Sequence, residues 1–210
     1  YLHEIGIRSE GLCSLFPGRI RFFEIGGDEL EEYIDWVFGK AGLLGARKIG
    51  FGSGGARRLP EGMSPAEGME IFAEKVRKHI VPYLEKYDYE MVIEPFNPAE
   101  ANFILTAADG KEAVQKIGSS RIGILTDTLH MIGSGDIAEN VVAGQFDVIR
   151  HIHISEPARV MPVCSYSPEC LSFVKAFAAA GYDGTICFET KCADYDDLAT
   201  ALSTLKELWK

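Results

Sequence analysis

The sequence lacks three features that would each point to a particular class of protein. It has no apolar run near the roughly 18 residues that a membrane-spanning helix needs, no C-x-x-C pair and no dense basic cluster. Its 5 cysteines are odd in number, and we interpret them as free thiols of a cytoplasmic protein. A net charge of −10 with scattered basic residues argues against nucleic acid as a partner. We therefore expect neither a membrane nor a nucleic-acid partner.

Short apolar runs alternate along the chain with longer stretches of helical period. The runs predict strands at 12–15, 48–51, 91–94, 122–127, 151–155 and 185–189. Helices are predicted at 28–44, 64–87, 109–117, 136–145, 167–180 and 193–209. Strands that alternate with helices indicate βαβ units and a parallel sheet.

The two faces of the predicted strands decide between an open doubly wound sheet and a closed barrel. In the run 151–155, Ile152 and Ile154 share one face, and the residues on the other face are His151, His153 and Ser155. An open doubly wound sheet is covered by helices on both faces, so both should be apolar. In a barrel the inward face meets the substrate at the C-terminal mouth and can be polar there. The pattern therefore favours an α/β fold, the (β/α)8 TIM barrel.

The number of units falls short of a complete barrel. Six βα units are predicted, whereas an eightfold barrel typically has about 250 residues. Six strands alone would leave two unpaired edges beside a polar interior. We therefore expect residues 1–210 to be a single barrel domain that is incomplete at its N-terminus. The sequence would then contain strands 3 to 8 of the barrel, with the first two βα units missing.

Four of the predicted strands end in a side chain that can bind a divalent metal. They are Glu94, Asp127, His153 and Glu189, separated by 33, 26 and 36 residues. Each interval is about one βα unit, so all four side chains should meet at one mouth of the barrel. A single strand-end acid is more often a helix cap or part of a loop salt bridge. Four in phase with the repeat favour a metal site, and this ligand set suits Mn²⁺ or Mg²⁺, with Co²⁺ or Zn²⁺ as alternatives.

Five motifs surround these strand ends. They read "FGSGGARRLP", "VIEPFNPAEANF", "LTDTLHM", "HIHISEPAR" and "YDGTICFET". In this order they resemble motifs of the sugar phosphate isomerase/epimerase family, which belongs to the xylose-isomerase-like TIM-barrel superfamily. Relatives include tagatose/psicose 3-epimerases, hydroxypyruvate isomerase and inosose dehydratase. The resemblance covers essentially the whole chain and is specific for the superfamily, but it is weak for the substrate.

The resemblance implies a role for each candidate residue. It makes the metal ligands Glu94, Asp127, His153 and Glu189. The catalytic bases, on opposite faces of the substrate, would be Glu94 and Glu189. Substrate hydroxyls would be held by Glu100, His130 and Arg159, with Asn97 as a further substrate-binding residue at the mouth. The resemblance also suggests a homodimer or homotetramer.

The chemistry of a ketose requires residues of these types. Removal of a proton beside a ketone creates an enediolate, whose charge a divalent metal stabilises. One carboxylate removes the proton, and a second acid on the opposite face returns it and inverts the centre. A single base that moves the proton between adjacent carbons would instead interconvert an aldose and a ketose. We therefore predict a metal-dependent isomerase, either a sugar isomerase or a ketose 3-epimerase, that acts on a sugar or a sugar phosphate.

Three other functions are compatible with parts of this pattern. A dehydratase (lyase) of the inosose or dehydroshikimate type would use the same metal and the same proton abstraction. An apurinic endonuclease of the superfamily would need extra histidines for a zinc cluster, and the strand ends near 15 and 51 have none. A non-catalytic sugar-binding relative would not need the two candidate bases, and both are present.

Three further side chains near the mouth allow more than one interpretation. Arg57 and Arg58 either bind a substrate phosphate, beside glycines that expose backbone N–H groups, or belong to an ordinary solvated loop. His151 lies two residues before His153 on the same strand face, about 6.6 Å deeper in the barrel. We interpret His151 as a hydrogen-bonded interior histidine below the metal.

Overall fold

The structure is a computed structural model that describes residues 4–163, 165–191 and 194–209. Its described part contains a single sheet of six parallel strands that lie side by side in chain order. The strands are β1 (Gly11–Leu12), β2 (Lys48–Phe51), β3 (Glu90–Ile93), β4 (Ile122–Asp127), β5 (Ile149–Ile154) and β6 (Thr185–Phe188). This order, in which each strand pairs with the next along the chain, confirms the predicted βαβ units.

Helices connect the strands. They are α1 (Gly27–Leu44), α2 (Pro65–His79), α3 (Val81–Tyr87), α4 (Ala107–Ile117), α5 (Thr128–Ser134), α6 (Ala138–Gln145), α7 (Pro168–Ala179) and α8 (Tyr195–Leu208). Their apolar residues recur at helical spacing, and in α1 the buried positions are Leu30, Ile34, Phe38 and Ala41. This spacing places one apolar stripe of the helix against the protein interior.

Two helix starts have a serine N-cap followed by proline. Ser64 precedes α2, and its side chain accepts a hydrogen bond from the backbone N–H of Glu67 at 3.2 Å. Ser167 does the same for α7, where the N–H of Cys170 donates at 3.3 Å. In both cases the serine satisfies a backbone donor that the first helical turn leaves unpaired.

Two helix predictions were wrong in extent. The predicted helix at 64–87 is divided at Ile80 into α2 and α3, because Pro82 has no N–H to donate to the preceding turn. The predicted helix at 136–145 misses α5, which starts directly after β4 without an intervening loop. The N-cap of α5 is Asp127, the last residue of β4, so no turn residue marks the boundary in the sequence.

The largest aromatic cluster lies beside the first strands. Phe22, Phe51 and Phe72 form a triangle with ring centroids 5.3–5.4 Å apart, and Phe16 contacts two of them. All four side chains are buried. Tilted and edge-on aromatic pairs of this kind add about 0.5–1.5 kcal/mol each beyond the burial of their area. The cluster fixes β2 between the segment before α1 and helix α2.

Two predictions from composition can be examined in the described residues. No described helix is long and apolar enough to cross a membrane. Cys13, Cys170 and Cys187 are free thiols, as predicted. Cys164 and Cys192 lie outside the described residues.

Candidate metal centre

The structure brings the four strand-end side chains together. Ligand atoms of Glu94, Asp127, His153 and Glu189 all lie within 4.8 Å of one another. The parallel sheet explains this convergence, because Asp127 of β4 is aligned with His153 of β5 and the backbone N–H of Glu189 donates to Ile154 at 3.2 Å. Three of the four side chains are buried, and that of Glu189 is partly exposed. The four side chains therefore converge at one end of the sheet, as predicted.

His153 faces carboxylates with one ring nitrogen and a thiol with the other. Its Nδ1 lies 3.0 Å from Oε2 of Glu189 and 3.7 Å from Oε1 of Glu94, and its Nε2 lies 3.9 Å from Sγ of Cys13. Burial disfavours the charged imidazole, but the interactions with Cys13 and with the carboxylates of Glu189 and Glu94 outweigh it and raise the pKa of His153 to about 12. A protonated ring at this position offsets part of the carboxylate charge.

Arg159 supplies the second positive charge. Its Nη1 donates to Oδ2 of Asp127 and to Oε2 of Glu189, the latter at 2.7 Å. Burial raises the pKa of Asp127 to about 7, against the attraction of Arg159. Burial acts in the same sense on Glu189, but hydrogen bonds from His153 and Asp127 lower the pKa of Glu189 to about 2. The three acids of the group are therefore held together by cationic partners.

The donor set fits a divalent cation. Oε1 of Glu94 is buried and has no hydrogen-bond partner among the described residues, which is unfavourable for a carboxylate oxygen unless a cation or a ligand contacts it. The group offers three carboxylates and one imidazole, a mostly oxygen set that suits hard divalent ions such as Mn²⁺ and Mg²⁺. The residues present therefore fit the metal that the sequence predicts.

Asp127 has two roles in the structure. Its Oδ1 accepts a hydrogen bond from the backbone N–H of Leu129 at 2.8 Å and so caps helix α5. Its Oδ2 faces Arg159 and the other acids of the group. The alternative interpretation of a strand-end acid as a helix cap therefore holds for one oxygen, and the other oxygen pairs with Arg159 and faces the remaining candidate ligands.

The predicted substrate-binding residues form a chain of polar contacts beside the candidate metal centre. Nδ2 of Asn97 lies 2.9 Å from Nδ1 of His130 and donates to Oε1 of Glu100 at 3.1 Å. On the other side of the ring, Nη2 of Arg159 lies 3.0 Å from Nε2 of His130. Burial, helped by the charge of Arg159, lowers the pKa of His130 to about 3, so the ring is neutral. Glu100 is the outermost member, with about half of its side chain exposed.

A strained turn holds Arg159. The backbone of Ala158 and Arg159 is left-handed, with φ of 66° and 60°, a region that few residues other than glycine adopt. The carbonyl of Arg159 accepts from the N–H of Lys191 at 2.8 Å, and the N–H of Arg159 donates to Glu156 at 3.1 Å. Strained backbone of this kind persists only where its surroundings fix it, and it often lies at functional sites.

His151 lies beside the metal centre but outside it. Its ring is 4.9 Å from that of His153, and its Nδ1 is 2.5 Å from Oγ1 of Thr185. Burial, together with the nearby charges of His153 and Lys48, lowers the pKa of His151 to about 3. A neutral histidine with a hydroxyl partner agrees with the interior role that the strand pattern indicates.

Three residues near the centre were missed or misinterpreted. Arg57 neither reaches a phosphate nor lies in solvent, since its side chain is fully buried, whereas Arg58 is exposed. Phe96 packs edge-on against the ring of His130 with centroids 4.2 Å apart. Cys13 faces His153 and directly follows β1, whereas the sequence predicts it inside a strand at 12–15. The burial of Arg57 depends on how its loop folds back, which no local pattern indicates.

Comparison with known proteins identifies the family. A family profile described as the xylose isomerase-like TIM barrel matches residues 32–208. The chain therefore belongs to the xylose isomerase-like TIM-barrel family. The six parallel strands accordingly form part of a TIM barrel, which confirms the predicted fold class.

Individual relatives cover the chain to different extents. A curated ketose 3-epimerase from Arthrobacter globiformis is 28% identical over 120 residues, which are 56% of this chain and 41% of that enzyme. The chain thus matches less than half of the length of this curated relative.

Solved structures match over nearly the whole chain at lower identity. D-allulose 3-epimerase from Methylomonas sp., in complex with D-allulose, has a TM-score of 0.82 at 19% identity and covers 98% of this chain and 78% of its own. An AP endonuclease, family 2, from Brucella melitensis has a TM-score of 0.79 at 16% identity, with 97% and 80% covered. At these identities the likeness shows the fold.

Proposed function

We propose that this protein is a divalent-metal-dependent sugar isomerase or ketose 3-epimerase. The observation that carries the proposal is the convergence of Glu94, Asp127, His153 and Glu189 within 4.8 Å at the C-terminal ends of parallel strands. Two of these residues are glutamates at the ends of different strands, and two-base proton transfer needs two such carboxylates. The similarity to a ketose 3-epimerase supports the same reaction class.

In this proposal the four converging side chains hold one metal ion, with Mn²⁺ preferred and Mg²⁺, Co²⁺ or Zn²⁺ as alternatives. When bound, such an ion acts as a Lewis acid that polarises a carbonyl group and stabilises negative charge on its oxygen. His153 would give up its proton on binding, because only the neutral ring is a metal ligand. Arg159 would then be released from part of its ion pairing and could turn to the substrate.

Glu94 and Glu189 are proposed to move the proton. Glu94 is buried with one unpaired oxygen, so it is poorly solvated and suited to take a proton from a carbon beside a carbonyl group. Glu189 is more exposed and hydrogen-bonded to His153, so a proton that it takes from the substrate can pass on to other groups. With one acid on each face of the sugar, removal and return of the proton invert the carbon centre.

The chain of Asn97, Glu100, His130 and Arg159 is proposed to hold the sugar. These side chains offer both donors and acceptors within one connected network, as hydroxyl groups require. Burial of His130 and Asn97 fixes their positions before the sugar binds. A preorganised network loses less entropy when the substrate binds.

Assembly and location belong to the same proposal. We propose one barrel domain that acts on a small sugar or sugar phosphate, as a homodimer or homotetramer in the cytoplasm. Size-exclusion chromatography with light scattering measures the oligomer directly.

Isotope exchange tests the proposed reaction. The Mn²⁺-loaded protein is incubated with a panel of ketoses and aldoses in D₂O, and deuterium at C1, C2 and C3 is followed by NMR. Deuterium at C3 with inversion indicates a 3-epimerase, and deuterium at C1 or C2 with interconversion indicates an aldose–ketose isomerase. An absorbing enone product would instead indicate a dehydratase.

Two glutamates of one strand provide the matched control. Glu94→Gln should abolish exchange, whereas Glu90→Gln should leave it unchanged, because Glu90 lies at the other end of β3 and pairs with Arg150. The metal content of the purified protein is measured in parallel. A cluster of zinc ions, rather than one metal ion, would favour an endonuclease. Lack of exchange with every sugar tested would overturn the proposal.

A further inference from the structure

Arg57 is a buried cation at the end of β2. The loop after β2 folds back at Ser53, whose carbonyl accepts from the N–H groups of Ala56 and Arg57 at 2.8 and 3.2 Å. This turn directs the side chain of Arg57 into the protein, where it is 0% exposed. Arg57 therefore cannot contact a substrate.

The buried guanidinium contacts the segment that carries Glu94. Its Nη2 donates to the backbone carbonyl of Glu94, at the end of β3. Its Cζ lies 5.2 Å from the centre of the Phe96 ring, within cation–π distance. Phe96 in turn packs edge-on against His130, with ring centroids 4.2 Å apart. Arg57 thus contacts the backbone of Glu94, a candidate catalytic base. It also contacts the ring of Phe96, which packs against the candidate substrate-binding residue His130.

Stability alone does not explain a cation at this position. Nε and Nη1 of Arg57 have no hydrogen-bond partner among the described residues, and no described carboxylate forms an ion pair with the guanidinium. Removing a charge from water costs several kcal/mol, and a well-packed apolar side chain of similar volume is often as stable or more stable. The charge that attracts Arg57 is the carboxylate of Glu94.

We propose that Arg57 is a positioning residue for the candidate base Glu94. Its hydrogen bond fixes the carbonyl at the end of β3, its planar face fixes Phe96, and its charge attracts the carboxylate group of the metal centre. This inference rests on the proposed function: its catalytic part rests on proton transfer by Glu94, and its metal-binding part rests only on the proposed metal site. Lysine cannot replace Arg57, because an ammonium group has neither the planar face nor the fixed fork of donors.

Two substitutions test this role in the purified protein. Arg57→Met and Arg57→Lys should each weaken Mn²⁺ binding by about tenfold or more, in the range found for residues that orient metal ligands. With an active sugar, kcat should fall by a similar factor while KM changes less than about twofold. The melting temperature of Arg57→Met should equal or exceed that of the wild type, because a buried charge has been removed. Calorimetry and thermal unfolding give these values.

Arg77→Met is the matched control. Arg77 also donates to backbone carbonyls, at Ile117 at 3.0 Å and at Lys116, but these lie at the end of α4. We expect it to lower the melting temperature and to leave Mn²⁺ affinity unchanged. A merely structural Arg57 would behave in the same way as Arg77, and that result would overturn the inference.

The remaining outcomes are also decisive. If Arg57→Met does not fold, Arg57→Lys is read instead, and wild-type Mn²⁺ affinity with wild-type kcat would overturn the positioning role. If the wild type exchanges no proton with any sugar but Arg57→Lys weakens Mn²⁺ binding, the proposed function fails and the positioning of Glu94 stands. If the wild type is active and both variants match it, only the inference on Arg57 fails.

Discussion

At the scale of single residues, Gly52 leaves room for the carboxylate of Glu94. A Cβ atom at position 52 would clash with Oε2 of Glu94 and would lie 3.2 Å from the ring of Phe96. We therefore expect Gly52→Ala to displace this carboxylate and to weaken Mn²⁺ binding about tenfold or more, as measured by titration calorimetry. Gly55→Ala is the control, because a Cβ atom there has no neighbour within 4 Å. Equal affinities of the two variants would contradict this expectation.

The two histidines of β5 should respond differently to substitution. His153→Ala removes the only imidazole of the four-residue group, and we expect it to abolish measurable Mn²⁺ binding. His151→Ala removes a hydrogen bond to Thr185 and should mainly reduce the free energy of unfolding, by about 1 kcal/mol or more. Metal analysis after dialysis and denaturant titration separate the two effects. A comparable loss of metal in His151→Ala would mean that both rings bind it.

The sequence was sufficient to predict that four side chains converge, because each is a strand-end residue in phase with the repeat. It could not predict the contacts of Arg57. An arginine between glycines and a proline resembles any solvated loop residue, and its burial depends on a backbone turn and on a ring from a later segment.

At the scale of secondary-structure elements, Asp136 joins the loop after α5 to the start of α4. Its Oδ2 accepts from the backbone N–H of Ala107 at 3.0 Å. Burial raises the pKa of Asp136, and this effect exceeds the opposing effect of the hydrogen bond. An acid whose folded-state pKa is raised favours folding below its unfolded pKa, and this contribution is lost as the pH rises through the folded value.

Replacement by asparagine should therefore have a pH-dependent effect. Asp136→Asn keeps an oxygen for Ala107 and removes the charge, so it should melt at a higher temperature than the wild type at pH 7. The difference should shrink as the pH falls towards about 4, and the wild-type carboxyl is protonated in both states only below that pH. Asp183→Asn, at an exposed position, serves as the control in scanning calorimetry. A difference that is constant from pH 7 to pH 4 would refute this assignment.

Local sequence patterns predicted some helix boundaries and missed others. Ser-Pro entries to α2 and α7 are local signals, and both helices begin where the sequence predicts. Helix α5 has no separate start signal, because its cap is also the last residue of a strand. The division of α2 from α3 was visible as Pro82, but the continuous apolar period across it concealed the break.

At the scale of the whole molecule, a bound metal would connect four consecutive strands of the sheet. A ligand that binds only the folded state stabilises it, by about 2.7 kcal/mol at a concentration 100 times the dissociation constant. For a chain of this size that corresponds to roughly 5–10 °C in melting temperature. We expect Mn²⁺ to produce such a shift and EDTA to reverse it. A shift of the same size in His153→Ala would place the stabilising ion elsewhere.

The barrel could be inferred because the polarity of each strand face indicates whether helices cover that face of the sheet. His151 and His153 on one face, with Ile152 and Ile154 on the other, do not suit a sheet that is covered on both sides. The strand pattern did not predict how deeply each side chain of the site is buried. Glu189 is the most exposed of the four candidate ligands. This difference in exposure depends on how far each strand extends.

The double role of Asp127 has a consequence for redesign. The residue that would hold the metal also starts the helix whose first turn carries His130, so these two side chains move as one rigid unit. Arg159 and Glu100 lie on separate loops with their own anchoring hydrogen bonds. An engineer who wants a new substrate should therefore randomise residues 97–100 and 157–159 and leave 127–130 intact, since diversity there would destroy cofactor chemistry and recognition together.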